Sequence, residues 1–282
     1  MDKLSATFAC VAFIAKVIVN IIYLDDASKS FMYYDTELSP ADSPLLICRA
    51  SLSYCYTSVF IFYCTVKTLQ KHTVPNIITS RFYAAFSVSC IFEALYIAMW
   101  AQGFAVVGFL LICAASIVQY LALYCAFTAL YNATNRDSEV QTSTIWCNRV
   151  LVQSGLIFDC AWNSVLVIIN LAVVLCYRIG LTSLQSSVIG LLVFAIGLLL
   201  WFGIENLIFE KYVRFTVAEY IAISIAMTSL LSRSRTGESY FPIMLLSCMT
   251  LVLVLLFSRV TIIMCMESRR KNQEQLYTIV TI

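Results

Sequence analysis

Long apolar runs separated by short polar ones set the rhythm of this chain. Eight such runs lie at 6–24, 45–67, 79–101, 105–131, 149–177, 186–208, 212–231 and 241–266. A helix that crosses hydrocarbon needs about 20 mostly apolar residues, and each of its backbone polar groups must find a partner within the segment. The pattern predicts an all-α fold, a polytopic transmembrane helix bundle of about eight helices. It forms a single transmembrane domain over residues 1–266, with a cytosolic C-terminal tail over 267–282. Only Ala101, Gln102 and Gly103 divide the third run from the fourth, and only Glu210 and Lys211 the sixth from the seventh, so seven helices is the alternative.

The first run has Lys3 ahead of it, as a secretory signal would. It is too long for a typical signal core, carries Lys16, and has no small-residue cleavage site before Asp25, so it is expected to remain in the mature chain. Orientation follows from the loop cations. Lys3, Lys71, Arg81, Arg136, Arg149, Lys211, Arg214, Arg269, Arg270 and Lys271 fall on one side; Lys29, Arg49, Arg178, Arg233 and Arg235 fall on the other. Both termini are thus expected in the cytosol. Asn132, in an Asn-Ala-Thr glycosylation sequon, then falls on the cytosolic side and opposes this assignment.

Composition agrees with the pattern. Hydrophobic residues make up 61% of the chain and charged ones only 12%, with a mean hydropathy of +0.87, far from the roughly one-quarter charged norm of globular domains. A net charge of +2 without basic blocks interleaved with aromatics excludes nucleic acid as a partner. The twelve cysteines lie mostly inside apolar runs, where they act as small hydrophobes, so no disulfide framework is expected. Cys147 and Cys265 are juxtamembrane, a position compatible with palmitoylation.

Polar residues inside the runs are the candidate functional groups, because charge in hydrocarbon is costly. Asp159 and Asn163 stand one turn apart in the fifth run, and Asn170 follows on the same face. Lys16 and Asn20 are spaced likewise in the first run, making Lys16 a counter-charge for Asp159 or for Glu93 in the third; Gln119 in the fourth joins the set. Glu205 and Glu219 are expected near the cytosolic interface, paired with Lys211 and Arg214. Gly190 and Gly197 share a face of the sixth run, where small residues allow close helix packing.

Two roles fit this network. It acts as structural glue, or Glu93, Asp159 and Glu219 line a path for protons or cations. Prolines 40, 44, 75 and 242 lie in loops or at a helix start, leaving helix interiors unbroken, which opposes a transporter built on discontinuous helices. Enzymatic chemistry has little support. His72 is the only histidine and lies in a polar loop, and no phosphate-cradling glycine loop or metal motif is present, so neither a metal nor another cofactor is expected.

The tail carries Arg269, Arg270 and Lys271 at head-group level, suited to anionic membrane lipids. Tyr277 to Val280 fits a tyrosine-based ligand for a cytosolic sorting adaptor, and Val280 to Ile282 fits a C-terminal ligand for a PDZ protein.

Several stretches resemble the DRAM/Frag1 group of autophagy-modulator-like membrane proteins. These are "YYDTELSP" after the first run, "SVSCIFEALYIAMWAQ", "GFLLICAASIVQYLALYCAFTALY", "CNRVLVQSG", and "YVRFTVAEYIAISIAMTSLL" with Glu219 at the position of that group's acidic residue. That group has six helices; this chain adds one before and one after the last matching segment. The resemblance implies a non-enzymatic protein of endosomal, lysosomal or plasma membranes that modulates lipid or trafficking machinery. The expectation is an accessory or regulatory subunit of a membrane complex, with membrane lipids and other membrane proteins as partners. The alternatives are a transporter or channel-like protein and, for location, the endoplasmic reticulum.

Overall fold

A computed structural model describes residues 2–33, 36, 38, 44–69, 78–136, 142–207, 216–233 and 240–280. Its long helices are α1 (Asp2–Tyr33), α2 (Pro44–Leu69), α3 (Ser80–Ala101), α4 (Ala105–Arg136), α6 (Ser154–Tyr177), α7 (Ser183–Leu207), α8 (Ala218–Arg233) and α9 (Phe241–Val280). A short α5 (Thr142–Cys147) and a π-helical turn (Asn148–Gln153) lead into α6. Among the described residues, six helices are long and apolar enough to cross a membrane, and Ala218–Ser232 is a shorter apolar one. The chain is an integral membrane protein with a polytopic, all-helical fold.

Local chemistry explains the helix ends. Thr79 caps α3 by accepting a hydrogen bond from the Phe82 amide. Before α7, Thr182 and Gln185 exchange bonds, each backbone amide donating to the other's side-chain oxygen at 3.2–3.3 Å. Pro242 lies in the first turn of α9, where its missing N–H costs nothing. Gly103, at φ +80°, turns α3 back into α4 through a left-handed conformation that other residues rarely adopt.

The α7–α8 pair also reverses. Along a continuous helix, Glu205 and Tyr220 would stand about 22 Å apart, yet the Tyr220 hydroxyl donates to Oε2 of Glu205 at 2.7 Å. Both doubtful hairpins therefore exist; among the described residues there are eight long helices, but six, not the expected eight, are long and apolar enough to cross a membrane.

Two helices outrun their apolar segments. α1 continues to Tyr33 and α9 to Val280, since neither extension contains the glycine or proline that would stop it. The expected tail over 267–282 is therefore helical as far as Val280.

In the first half, helices consecutive in the chain run antiparallel. Cys10 meets Thr65, while Lys16 lies over the Tyr54 ring; Thr68 meets Tyr83, while Phe60 meets Phe86 edge-on. These helices enclose one core, which includes Phe13, Phe60, Phe82, Phe86 and Leu156. A second core joins α7, α8 and α9 to the far ends of α3 and α4 through Trp100, Ile112, Phe194, Tyr220 and Val252.

α6 belongs to both cores. No residue from Leu151 to Cys176 is exposed, so this helix is the axis of the bundle. Apolar surface gains little by leaving lipid for a helix interface, so close fit and polar contacts decide how the surrounding helices register against it.

Candidate functional site

Every long helix of the first half sends a polar side chain to one point beside α6. The Lys16 ammonium of α1 lies 2.6 Å from Oε2 of Glu93 on α3 and 3.7 Å from Oδ2 of Asp159 on α6. Gln119 of α4 donates from Nε2 to Oδ2 of Asp159 at 2.6 Å, and its Oε1 accepts from Nδ2 of Asn163 at 2.6 Å. From α2, Ser53 donates to Oδ1 of Asp159 at 2.7 Å. Asn163 also lies beside the Glu93 carboxyl, which closes the group into a ring.

Burial makes the ring's charge consequential. The Lys16, Glu93 and Asp159 side chains are 4%, 8% and 4% exposed. Two carboxylates face one ammonium. Attraction across so dry a site is strong, but an ion stripped of water without full compensation costs several kcal/mol.

Lys16, Glu93, Gln119, Asp159 and Asn163 thus meet. Asn20 does not join them; its amide donates to the backbone oxygen of Lys16 at 2.9 Å, because one helical turn brings that carbonyl nearer than the bundle interior. Asn170 is placed farther along α6, where Nδ2 reaches the Tyr96 hydroxyl at 3.1 Å and the Leu166 carbonyl at 2.8 Å. Glu219 lies within electrostatic range of Glu205 and of Tyr120 and Cys160, the neighbours in sequence of Gln119 and Asp159.

Glu205 corrects the expectation of interfacial snorkelling. It is buried beside Arg259 of α9, with Nε 3.1 Å from Oε1 and side chains 2% and 1% exposed. Nη1 of Arg259 also donates to Oδ1 of Asn206 at 2.6 Å. Glu219 is buried as well. Lys211 and Arg214, the expected partners of these carboxylates, lie outside the described residues.

Arg259 and Ser53 are participants that the sequence reading passed over. Arg259 had a signal, being a cation inside the run 241–266, as Lys16 is inside 6–24. Ser53 had none, because a serine in a membrane helix ordinarily bonds its own backbone, as Ser87 and Ser116 do here.

The helix runs without a break from Thr142 to Tyr177, but it widens into a π turn at the entrance to α6. At the π turn the Arg149 oxygen accepts from the Ser154 amide and again from Ser154 Oγ at 3.0 Å, and the Tyr56 hydroxyl donates to the Val150 oxygen. Gly155 makes the last contact possible, since a Cβ there would collide with the Tyr56 ring. Ser53 and Tyr56, one turn apart on α2, hold Asp159 and the π turn respectively.

The two packing glycines part company. A Cβ on Gly190 would stand 3.2 Å from Cδ1 of Leu38 and 3.4 Å from Cγ2 of Ile168, so α7 approaches α6 closely there. Gly197 is exposed with nothing within 4 Å, because seven residues of straight helix carry it beyond the contact. Cys147, Cys265 and Asn132 are exposed. Tyr277 and Val280 are helical, whereas both tail motifs are read as extended strands; Ile282 lies outside the described residues. Among the described residues, no group of three or more His, Cys, Asp or Glu side chains is arranged to hold a metal ion.

Comparison with family models, with curated proteins and with solved structures finds no match to this chain.

Proposed function

We propose that this chain is a non-enzymatic, channel-like or transporter-like membrane protein that binds a proton or small cation at the Lys16, Glu93 and Asp159 site. One observation carries the reading: two carboxylates and an ammonium are buried together in a site closed by α1, α2, α3, α4 and α6. Helices held only for register would be served as well by neutral amides, without the cost of burying ionisable groups. The π turn, six residues before Asp159, supports the reading because such turns often accompany functional sites.

The test is ion movement in proteoliposomes under an imposed membrane potential, with dyes for H+, Na+ and K+. Wild type should conduct above empty vesicles, and Asp159→Asn should reconstitute equally well but lose the signal. Wild-type vesicles as tight as empty ones would sink the proposal.

A second reading, an accessory or regulatory subunit, has its own observation. α9 extends 14 residues past Met266 to Val280, an arm of about 21 Å beyond the apolar run. Such an arm suits a partner protein at the membrane surface, with endosomal, lysosomal or plasma membranes as its setting and the endoplasmic reticulum as the alternative. Its test is purification in mild detergent with and without residues 267–282: a partner lost on truncation supports the arm, and none recovered with the full chain rejects it.

A further inference from the structure

Glu93 and Asp159 differ in what their oxygens face. Both oxygens of Asp159 receive short hydrogen bonds, from Ser53 at 2.7 Å and Gln119 at 2.6 Å. An amide nitrogen only donates, and the other end of Gln119 is committed to Asn163, so this arrangement suits a carboxylate rather than an acid. Glu93 holds Lys16 at Oε2 and has the Asn163 amide beside it, but the partner at its Oε1 is a hydroxyl, Oγ of Ser89 at 3.3 Å. Ser89 has a second acceptor at the same 3.3 Å, the backbone oxygen of Ala115 on α4.

A hydroxyl carries one proton and two lone pairs, and its rotor chooses between acceptors. With Glu93 ionised, Ser89 donates to Oε1. With Glu93 protonated, Ser89 turns to the Ala115 oxygen and accepts from the new O–H, so no polar group loses its partner. The geometry points to Oε1 of Glu93 as a proton-binding site, with Ser89 as its reversible partner and Lys16 passing from Glu93 toward Asp159 when the proton arrives. This rests on the ion-binding reading above and names its ion. The step is a plain transfer: hydronium gives up one O–H bond, Oε1 gains one, water departs, and no electrons change hands.

A proton suits the site better than a metal cation. Lys16 already occupies the centre, and the nearby oxygens of Asp159 and Gln119 are committed to donors. A second cation would meet a repelling ammonium and no free shell of oxygens. The titratable groups around Glu93 are Lys16 of α1, Tyr54 of α2 over that ammonium, Cys90 of α3 itself, and Asp159 and Cys160 of α6; α4 contributes the neutral Gln119. Of these, Asp159 is the other carboxyl and the competitor to exclude.

Infrared difference spectroscopy of the full chain in vesicles, recorded across pH, separates the two carboxyls. Wild type should show a protonated-carboxyl C=O band on acidification, and Glu93→Gln should remove it. Ser89→Ala should shift the band's frequency by removing its hydrogen-bond partner, while Ser53→Ala should leave it in place. Neither serine substitution leaves a buried charge unpaired, so both remain decisive if Glu93→Gln does not fold. A wild type without the band, a band surviving Glu93→Gln, or a shift in Ser53→Ala alone would each overturn the assignment. The band with its Ser89 dependence but no ion flux would leave the proton site standing and reject transport. Flux with no Glu93 band would do the reverse.

Discussion

Nε of Arg259 lies 3.1 Å from Oε1 of Glu205, joining α9 to α7 where both side chains are sealed from solvent. Tyr220 of α8 donates to the other oxygen of the same carboxylate, so three helices end on one acid.

This junction predicts strong coupling. Arg259→Ala strands Glu205 and is expected to destabilise the protein by about 3–5 kcal/mol. Removing the acid as well, in Glu205→Gln with Arg259→Ala, should recover part of the loss, measured as thermal unfolding in detergent for each single and double variant. Strictly additive losses would show that the contact carries no coupling.

Lys16 should behave similarly. Lys16→Met leaves Glu93 and Asp159 facing each other without their ammonium, a loss expected at about 3–5 kcal/mol. Adding Glu93→Gln should restore stability toward wild type, and detergent melting curves of the two variants decide the matter.

Gly155 is predicted to be intolerant for a local reason. Gly155→Ala drives a methyl group into the Tyr56 ring, an overpacking cost of about 1–3 kcal/mol. Tyr56→Ala in the same chain should relieve the collision, leaving only the cost of Tyr56→Ala itself. If the glycine substitution costs the same with the ring gone, the contact is not the cause.

The remaining glycines give a paired prediction. Gly197→Ala meets open space and should raise stability by up to about 1 kcal/mol through helix propensity. Gly190→Leu, packed against Leu38 and Ile168, should lower it by about 1–3 kcal/mol. Equal responses at the two positions would contradict the placement of α7.

Hydrophobic patterning made the bundle legible because the lipid constraint acts on long segments, which tolerate error at their ends. Lys16, Glu93, Gln119, Asp159 and Asn163 were legible as a set because buried polar groups must meet something, and few candidates exist in so apolar a chain. Which carboxyl joins which cation was not legible. Glu219 and Glu205 sit on helices whose rotation about α6 is fixed by tertiary packing, and no periodicity records that rotation. The π turn was hidden for a different reason. "NRVLVQ" has no glycine or proline, and its extra backbone width is sustained from outside, by Tyr56 on another helix.

A central rod with no exposed residue between Leu151 and Cys176 has a consequence for how the chain is made. Synthesis delivers α1 to α4 before α6, so Lys16, Glu93 and Gln119 stand in the bilayer while Asp159 is still to be translated. The fifth long helix then brings Asp159 and Asn163 into contact with waiting donors instead of bare hydrocarbon, and later helices close the open side. An early segment stalled or removed would leave that rod with nowhere dry and polar to dock, and quality control would meet the fault there first.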